Sequence, residues 1–276
     1  MRLLITRSRW EFAEIPLPVF LKKVKDAGYD GTDIFLPSLR ESPEEVRQMH
    51  ADHGLALFGM ITTEGATPAD HRASLRHGFA LAGQTGVAHL NCHTGKDFFP
   101  FGENCAIFAE SLALSRECGI PISHETHRGR ALFSTLATRA LLGALPQIRL
   151  TADFSHWCCV HESLLQDQKD DVELAILHSD YIHARVGHCE GPQVSDPRAP
   201  EWRTEVDTHC GWWKKIASER RKAGAATLAV CPEFGAAPYM PLLPFTRQPV
   251  TDLWEVTLWM KDLLQRELGG TLAENR

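Results

Sequence analysis

KDAGYDGTDIF, at positions 25–35, decides how this chain folds. It begins in the last turn of a polar, lysine-rich segment, passes through Gly28, and ends in a short apolar run. Gly28 stands where a helix closes with left-handed backbone, the C′ position that glycine fills at least steric cost. The same phrase returns three times, as ADHGLALFGMI at 51–61, GQTGVAHLNC at 83–92 and RECGIPISHE at 116–125. A helix that stops on glycine and feeds a strand brings the chain back to one end of a sheet. Repetition therefore builds parallel strands, which need long crossover connections. Read outward on this pattern, the chain shows strands at 3–6, 31–36, 56–62, 87–92, 120–125, 149–154, 181–186 and 228–233. Helical patterns occupy 18–27, 43–53, 68–84, 105–117, 131–145, 162–178, 201–222 and 250–268. Ser42-Pro43-Glu44-Glu45 and Thr67-Pro68 mark helix starts, with a capping hydroxyl, proline in the first turn and acidic residues beside it.

An open doubly wound sheet alternates in the same way but carries a glycine-rich phosphate loop after an early strand. No GxGxxG or GxxxxGK[ST] occurs here. The expected class is α/β, a single (β/α)₈ TIM barrel, with residues 1–276 forming one domain. The length is close to the roughly 250 residues typical of that fold. With 43% hydrophobic and 23% charged residues, the composition is that of an ordinary globular protein. The net charge of -6 and the absence of a long basic run argue against a nucleic-acid partner. No apolar stretch approaches the roughly 20 residues of a membrane span, and the N-terminus has no signal-peptide pattern. The eight scattered cysteines include no CxxC pair, so reduced thiols and a cytoplasmic location are expected.

The last four strands each end near a residue able to ligate a metal: Glu125 in PISHETH, Asp153 in RLTADFSHW, His183 in YIHARVG and Glu233 in LAVCPEFG. Barrel enzymes place their chemistry at such strand ends. Three carboxylates and one imidazole form a hard set that suits Mn²⁺, Mg²⁺ or Co²⁺, with Zn²⁺ also admitted, and does not resemble a structural zinc site. One strand-end residue alone is most often a helix cap or a satisfied core group. Four on consecutive strands are a constellation. His127, two residues after Glu125, is expected on the same inner face, and His93 follows the fourth strand toward the pocket. Arg128 reads equally as a contact for a carboxylate or phosphate on the substrate and as a surface salt bridge. The loop 187–200, rich in Gly and Pro, reads either as a lid or as a rigid turn.

These residues resemble the xylose isomerase-like TIM barrels, the sugar phosphate isomerase/epimerase superfamily. The resemblance rests on Glu125, Asp153-Phe-Ser-His156, His183-Ala-Arg185 and Glu233, and on KDAGYDGTDIF, where Asp33 stands at the family's second-strand acid. It implies that Glu125, Asp153, His183 and Glu233 bind one divalent ion. It further implies that His156 and Arg185 hold substrate oxygens, and that Glu125 and Glu233 move a proton on opposite faces of the substrate. The implied activity is isomerisation or epimerisation of a keto-sugar or related hydroxy-ketone. The ion would act as a Lewis acid on adjacent carbonyl and hydroxyl oxygens, stabilising a cis-enediolate. The alternatives are a lyase of the inosose or keto-glycoside dehydratase type, working through the same enolate, and a non-catalytic sugar-binding barrel. The lysine that assists hydride shift in xylose isomerases proper has no counterpart here. The expected partner is a small-molecule carbohydrate, and the resemblance implies a homodimer or homotetramer.

Overall fold

The computed structural model describes residues 1–269. The expected one-domain span of 1–276 thus includes seven residues, 270–276, outside the described residues. Eight parallel strands close into a barrel in chain order: β1 (Arg2–Ser8), β2 (Gly31–Phe35), β3 (Ala56–Thr62), β4 (His89–His93), β5 (Ile122–Glu125), β6 (Leu150–Ala152), β7 (Ser179–His183) and β8 (Thr227–Cys231). Closure is made where β1 pairs with β8, Arg2 opposite Thr227 through Ile5 opposite Val230. The helices are α1 (Leu17–Asp26), α2 (Pro43–His53), α3 (Pro68–Thr85), α4 (Phe101–Cys118), α5 (Thr135–Ala144), α6 (Ser155–Val160), α7 (Lys169–His178), α8 (Arg203–Lys222) and α9 (Leu253–Gly269). Among the described residues, no helix is long and apolar enough to cross a membrane.

Local chemistry accounts for the helix boundaries. Ser42 with Glu45, and Thr67 with Asp70, form reciprocal capping boxes, and Gly54 and Gly86 close the same two helices at φ of 60° and 71°. The continuous helix expected at 162–178 does not form. The chain makes the short α6 immediately after β6 and then a turn in which Glu162 and Leu165 take left-handed backbone, before α7 starts at Lys169. A helix cannot run through such residues. The helix expected from 131 begins only at Thr135, where the Ser134 hydroxyl accepts the Ala137 N–H. Pro100 lets α4 start four residues earlier than periodicity suggested.

The largest apolar cluster lies between the strands and the helical shell and includes Phe20, Leu21, Phe154, Trp157, Trp213 and Leu264. A smaller one crosses the barrel interior, where Phe58 of β3 meets Tyr181 of β7 with ring centroids 5.2 Å apart. Trp212, Trp213, Trp254 and Trp259 all pack on the main cluster.

Buried His209 couples α8 to the loop after β7. Its Nδ1–H donates to the Glu205 carbonyl at 2.8 Å, and Nε2 accepts the Gly187 N–H at 3.3 Å. Burial lowers its pKa to about 4. The unfolded chain binds this proton near pH 6.5, so the stability His209 contributes is complete above about pH 6.5 and falls as pH drops toward 4. At pH 5 the expected loss from this group is about 2 kcal/mol. Urea unfolding at pH 7 and pH 5 checks it: the pH dependence of His209→Gln should be shallower than that of the wild type by about that amount.

Candidate active site

The four candidates from β5–β8 meet at the C-terminal mouth of the barrel. Glu125 and His183 are the last residues of β5 and β7, Asp153 follows β6 directly, and Glu233 lies two residues beyond β8. All are at least 94% buried. One ligand atom from each falls within 4.8 Å of the others. His183 Nδ1 stands 3.1 Å from Glu125 Oε2 and 2.7 Å from Glu233 Oε2. Arg185 closes the far side, with Nη2 2.8 Å from Glu233 Oε1 and Nε 3.4 Å from Asp153 Oδ2.

Neighbouring side chains fix these positions. Asn91, two residues before His93 and on the same face of β4, donates from Nδ2 to Glu125 Oε2 at 2.6 Å. The Thr126 hydroxyl accepts the Asp153 N–H at 2.9 Å, and Ser155 donates its backbone N–H and its hydroxyl to Asp153 Oδ1. The Tyr181 hydroxyl donates to Asp33 Oδ2 at 2.6 Å, and that oxygen also faces His183 Nε2 at 3.4 Å. Asn91 and Tyr181 were not singled out from sequence, although the two-residue alternation on β4 and β7 places both on the inner face.

A pocket of about 370 Å³ opens above this cluster, within the range of about 300–1,000 Å³ usual for small-molecule sites. Asp33, His93, His127, Arg130, Arg185 and Glu233 contribute its polar lining, and Trp10, Phe35, Met60 and Tyr239 contribute apolar wall. His93 Nε2 reaches Glu125 Oε2 at 3.0 Å, and its ring lies 4.3 Å from that of His127. His93, Glu125 and His127 make a second convergent triple that shares Glu125 with the first. The His127 Nδ1–H donates to the Arg128 carbonyl at 2.6 Å, leaving Nε2 without a proton because burial lowers the pKa to about 3. His156 is completely buried, 3.6 Å from Asp153 and against the His127 ring, and does not line the pocket. Arg128 points elsewhere, over the Tyr239 ring at 5.2 Å and toward Cys159. Trp10 lines the pocket, while Trp157 is core and Phe99 packs against His71.

The loop 187–200 is tied to itself and to the stretch after β8 by hydrogen bonds. His188 and Gly191 bridge across it, and the Gln193 side-chain amide pairs with Gly235 in both directions, donating to its carbonyl at 3.0 Å and accepting its N–H at 2.7 Å. Trp202 Nε1–H donates to Ser195 Oγ at 3.0 Å.

Charge inside the cluster is short on the positive side. Burial raises the Glu233 pKa, but Arg185 and His183 outweigh it and hold the group at about 2. Burial likewise opposes ionisation of Glu125, and His93 and His183 overcome it, keeping it well below the usual carboxylate range. Burial pulls His183 down, yet Glu233 and Glu125 keep its pKa well above that of ordinary imidazole. Asp153 is left over. Burial, with Glu233 and Glu125 nearby and Arg185 only partly compensating, lifts it to about 7. His183, held protonated by its carboxylate neighbours, and Asp153, pushed toward its neutral form, lessen a negative charge that a divalent cation would otherwise offset. His183 Nδ1, Glu233 Oε2 and Asp153 Oδ2 are buried and lack an aligned hydrogen-bond partner, although they face one another. Buried polar atoms are rarely left so. Convergence, donor hardness and these unmatched atoms all fit a divalent metal.

A family model described as xylose isomerase-like TIM barrel matches residues 21–234. A search of curated protein sequences found no match. Among solved structures, the chain is similar to a xylose isomerase-like TIM barrel protein from Mycobacterium smegmatis in complex with magnesium, with a TM-score of 0.64, 15% identity and 98% of each chain covered. It is similar to 3-keto-D-glucoside 4-epimerase from E. coli, with a TM-score of 0.59, 12% identity, and coverage of 96% of this chain and 100% of that one. It is also similar to a probable 3-DHS dehydratase from Bacillus anthracis, with a TM-score of 0.60, 13% identity and 100% of both chains covered. At these identities the likeness is one of fold, and each activity belongs to the protein that carries it.

Proposed function

This chain belongs to the xylose isomerase-like TIM barrel family, and from that premise we propose that it is a divalent-metal-dependent isomerase or epimerase of a keto-sugar or related hydroxy-ketone. The observation that carries the reading is the convergence of Glu125, Asp153, His183 and Glu233 beneath a pocket, with Asp153 Oδ2, His183 Nδ1 and Glu233 Oε2 buried and without a hydrogen-bond partner. These four residues would hold the ion, with Mn²⁺, Mg²⁺ or Co²⁺ favoured by the oxygen-rich set. When bound, a divalent ion supplies Lewis-acid polarisation of substrate oxygens.

The chain's own groups do the rest. Glu125 and Glu233 carry carboxylates kept ionised by their cationic neighbours, the state a general base requires. They come from β5 and from beyond β8, strands that are not adjacent in the barrel, so they approach a bound substrate from separate directions. Removal of a C–H proton by one and return by the other inverts a carbon next to a carbonyl. Return at the neighbouring carbon gives isomerisation. Arg185, backed by Tyr239 at 4.7 Å, holds Glu233 in place, and His127 offers an unprotonated Nε2 to a substrate hydroxyl. Trp10, Phe35 and Met60 give that side of the pocket an apolar wall.

The test is metal content followed by solvent exchange. Protein incubated with Mn²⁺ should retain the ion after gel filtration, and a ketose panel in D₂O should acquire deuterium beside the carbonyl in an otherwise saturated skeleton. An unsaturated diketone product would transfer the reading to the lyase class. A folded protein that takes up no divalent ion would remove it altogether.

A further inference from the structure

Resting on the reading above, we propose that the substrate carries an anionic group, a carboxylate or a phosphate, and that Arg130 is the residue that selects it. The pocket's acidic and basic side chains are not evenly matched. Its two carboxylates are already committed, Asp33 to Tyr181 and His183, and Glu233 to Arg185 and His183. Arg185 is consumed in the same exchange. Arg130 lines the pocket and, among the described residues, has no carboxylate within ion-pair distance. Among the described residues, its one side-chain hydrogen bond runs from Nη1 to the Thr63 carbonyl at 3.0 Å.

That contact anchors the guanidinium without neutralising it. Thr63 is itself held, its hydroxyl accepting the Gly95 N–H and meeting His71 Nδ1, each at 2.8 Å. The backbone on either side of Arg130 is also fixed. Its N–H donates to the His127 carbonyl at 3.2 Å, and the Ala131 N–H donates to the Thr94 carbonyl at 3.0 Å. Burial pulls the Arg130 pKa down, with Cys92, Glu64, Glu125 and Asp97 only partly compensating, so the charge stands in a setting that does not satisfy it. A half-buried, pre-positioned fork of N–H donors facing a cavity matches the oxygens of a carboxylate or phosphate. Arg9 lines the same pocket, bonds the Ile15 carbonyl at 3.0 Å and stands 3.9 Å from Glu41, so it adds positive field without offering so open a face. In a chain of net charge -6, an arginine left without a carboxylate partner at the pocket wall gives an anion a local place to dock.

The experiment compares three probes that differ only in the group at one end: glycerol, D-glycerate and glycerol 3-phosphate. Binding to the full chain in Mg²⁺ buffer is measured by calorimetry, for wild type and for Arg130→Gln. The ion's own attraction for anions is common to both proteins and cancels in the comparison. At least one anion should bind the wild type about tenfold or more tighter than it binds Arg130→Gln, with glycerol unchanged. Preference for D-glycerate assigns a carboxylate, and preference for glycerol 3-phosphate assigns a phosphate. A second measurement needs no variant. Phenylglyoxal modification of wild-type Arg130, followed by mass spectrometry, should slow severalfold with the preferred anion and not with glycerol. Equal anion affinity in a folded Arg130→Gln, or an unchanged modification rate, overturns the proposal. A protein that binds the anion through Arg130 yet exchanges no C–H loses the isomerase reading alone. One that turns over neutral ketoses while Arg130 ignores both anions loses only this inference.

Discussion

Glu125→Gln should lower turnover about a thousandfold at saturating metal while leaving the fold intact. The size follows from what meets at one oxygen. Asn91 Nδ2, His93 Nε2 and His183 Nδ1 lie 2.6, 3.0 and 3.1 Å from Glu125 Oε2. A glutamine keeps the shape and can still accept from Asn91, but it has no negative charge and no basic oxygen for a C–H proton. It also withdraws one of the two carboxylates that hold His183 protonated. Steady-state rates at several Mn²⁺ concentrations separate the outcomes. A rate restored by excess metal would make Glu125 a ligand only, whereas a loss that persists at saturation marks it as the base. Solvent deuterium exchange into substrate should fall in parallel, and a variant that exchanges at the wild-type rate would exclude Glu125 from proton transfer.

The second large effect concerns stability. Arg185→Met should destabilise the metal-free protein by about 3–5 kcal/mol, the usual consequence of removing one partner from a buried charge pair. Arg185 is 2% exposed and lies between Glu233 and Asp153. Without it the Glu233 pKa rises from about 2, and Asp153, already at about 7, has even less to hold its charge. The stability carried by a depressed carboxylate exists above its unfolded value and disappears as pH falls through the folded one. The difference between wild type and Arg185→Met should therefore be widest near neutrality and narrow below about pH 4. Saturating Mn²⁺ should recover much of the loss, since positive charge then returns to the same carboxylates. Urea unfolding at pH 7 and pH 3.5, with and without the metal, reads all of this. Equal metal-free stabilities at pH 7 would show that the Arg185 contacts do not govern the cluster.

The barrel was legible because its signal is repetitive. Gly28, Gly54 and Gly86 close helices and are followed directly by apolar strands, and an eightfold alternation leaves few architectures open. Glu125 and His183 were legible for the same reason, since each ends such a strand. The interruption between α6 and α7 was not, because Glu162 and Leu165 are residues that ordinarily avoid positive φ, and the tertiary structure overrides that preference. Tyr239 was equally hidden, since it lies in the irregular stretch after β8 where no period exists to read. The orientations of arginines were the least accessible. Arg128 and Arg130 share a loop and a chemistry, yet the first covers Tyr239 and the second lines the pocket. One residue of spacing in a turn cannot reveal that difference.

The amide clasp between Gln193 and Gly235 constrains how this scaffold can diversify. Because it bolts the seventh crossover to the backbone two residues past Glu233, lengthening or trimming that crossover would drag the Glu233 carboxylate with it. New substrate preferences are more readily acquired away from it, at Met60 on β3 and Arg130 after β5, which line the same pocket.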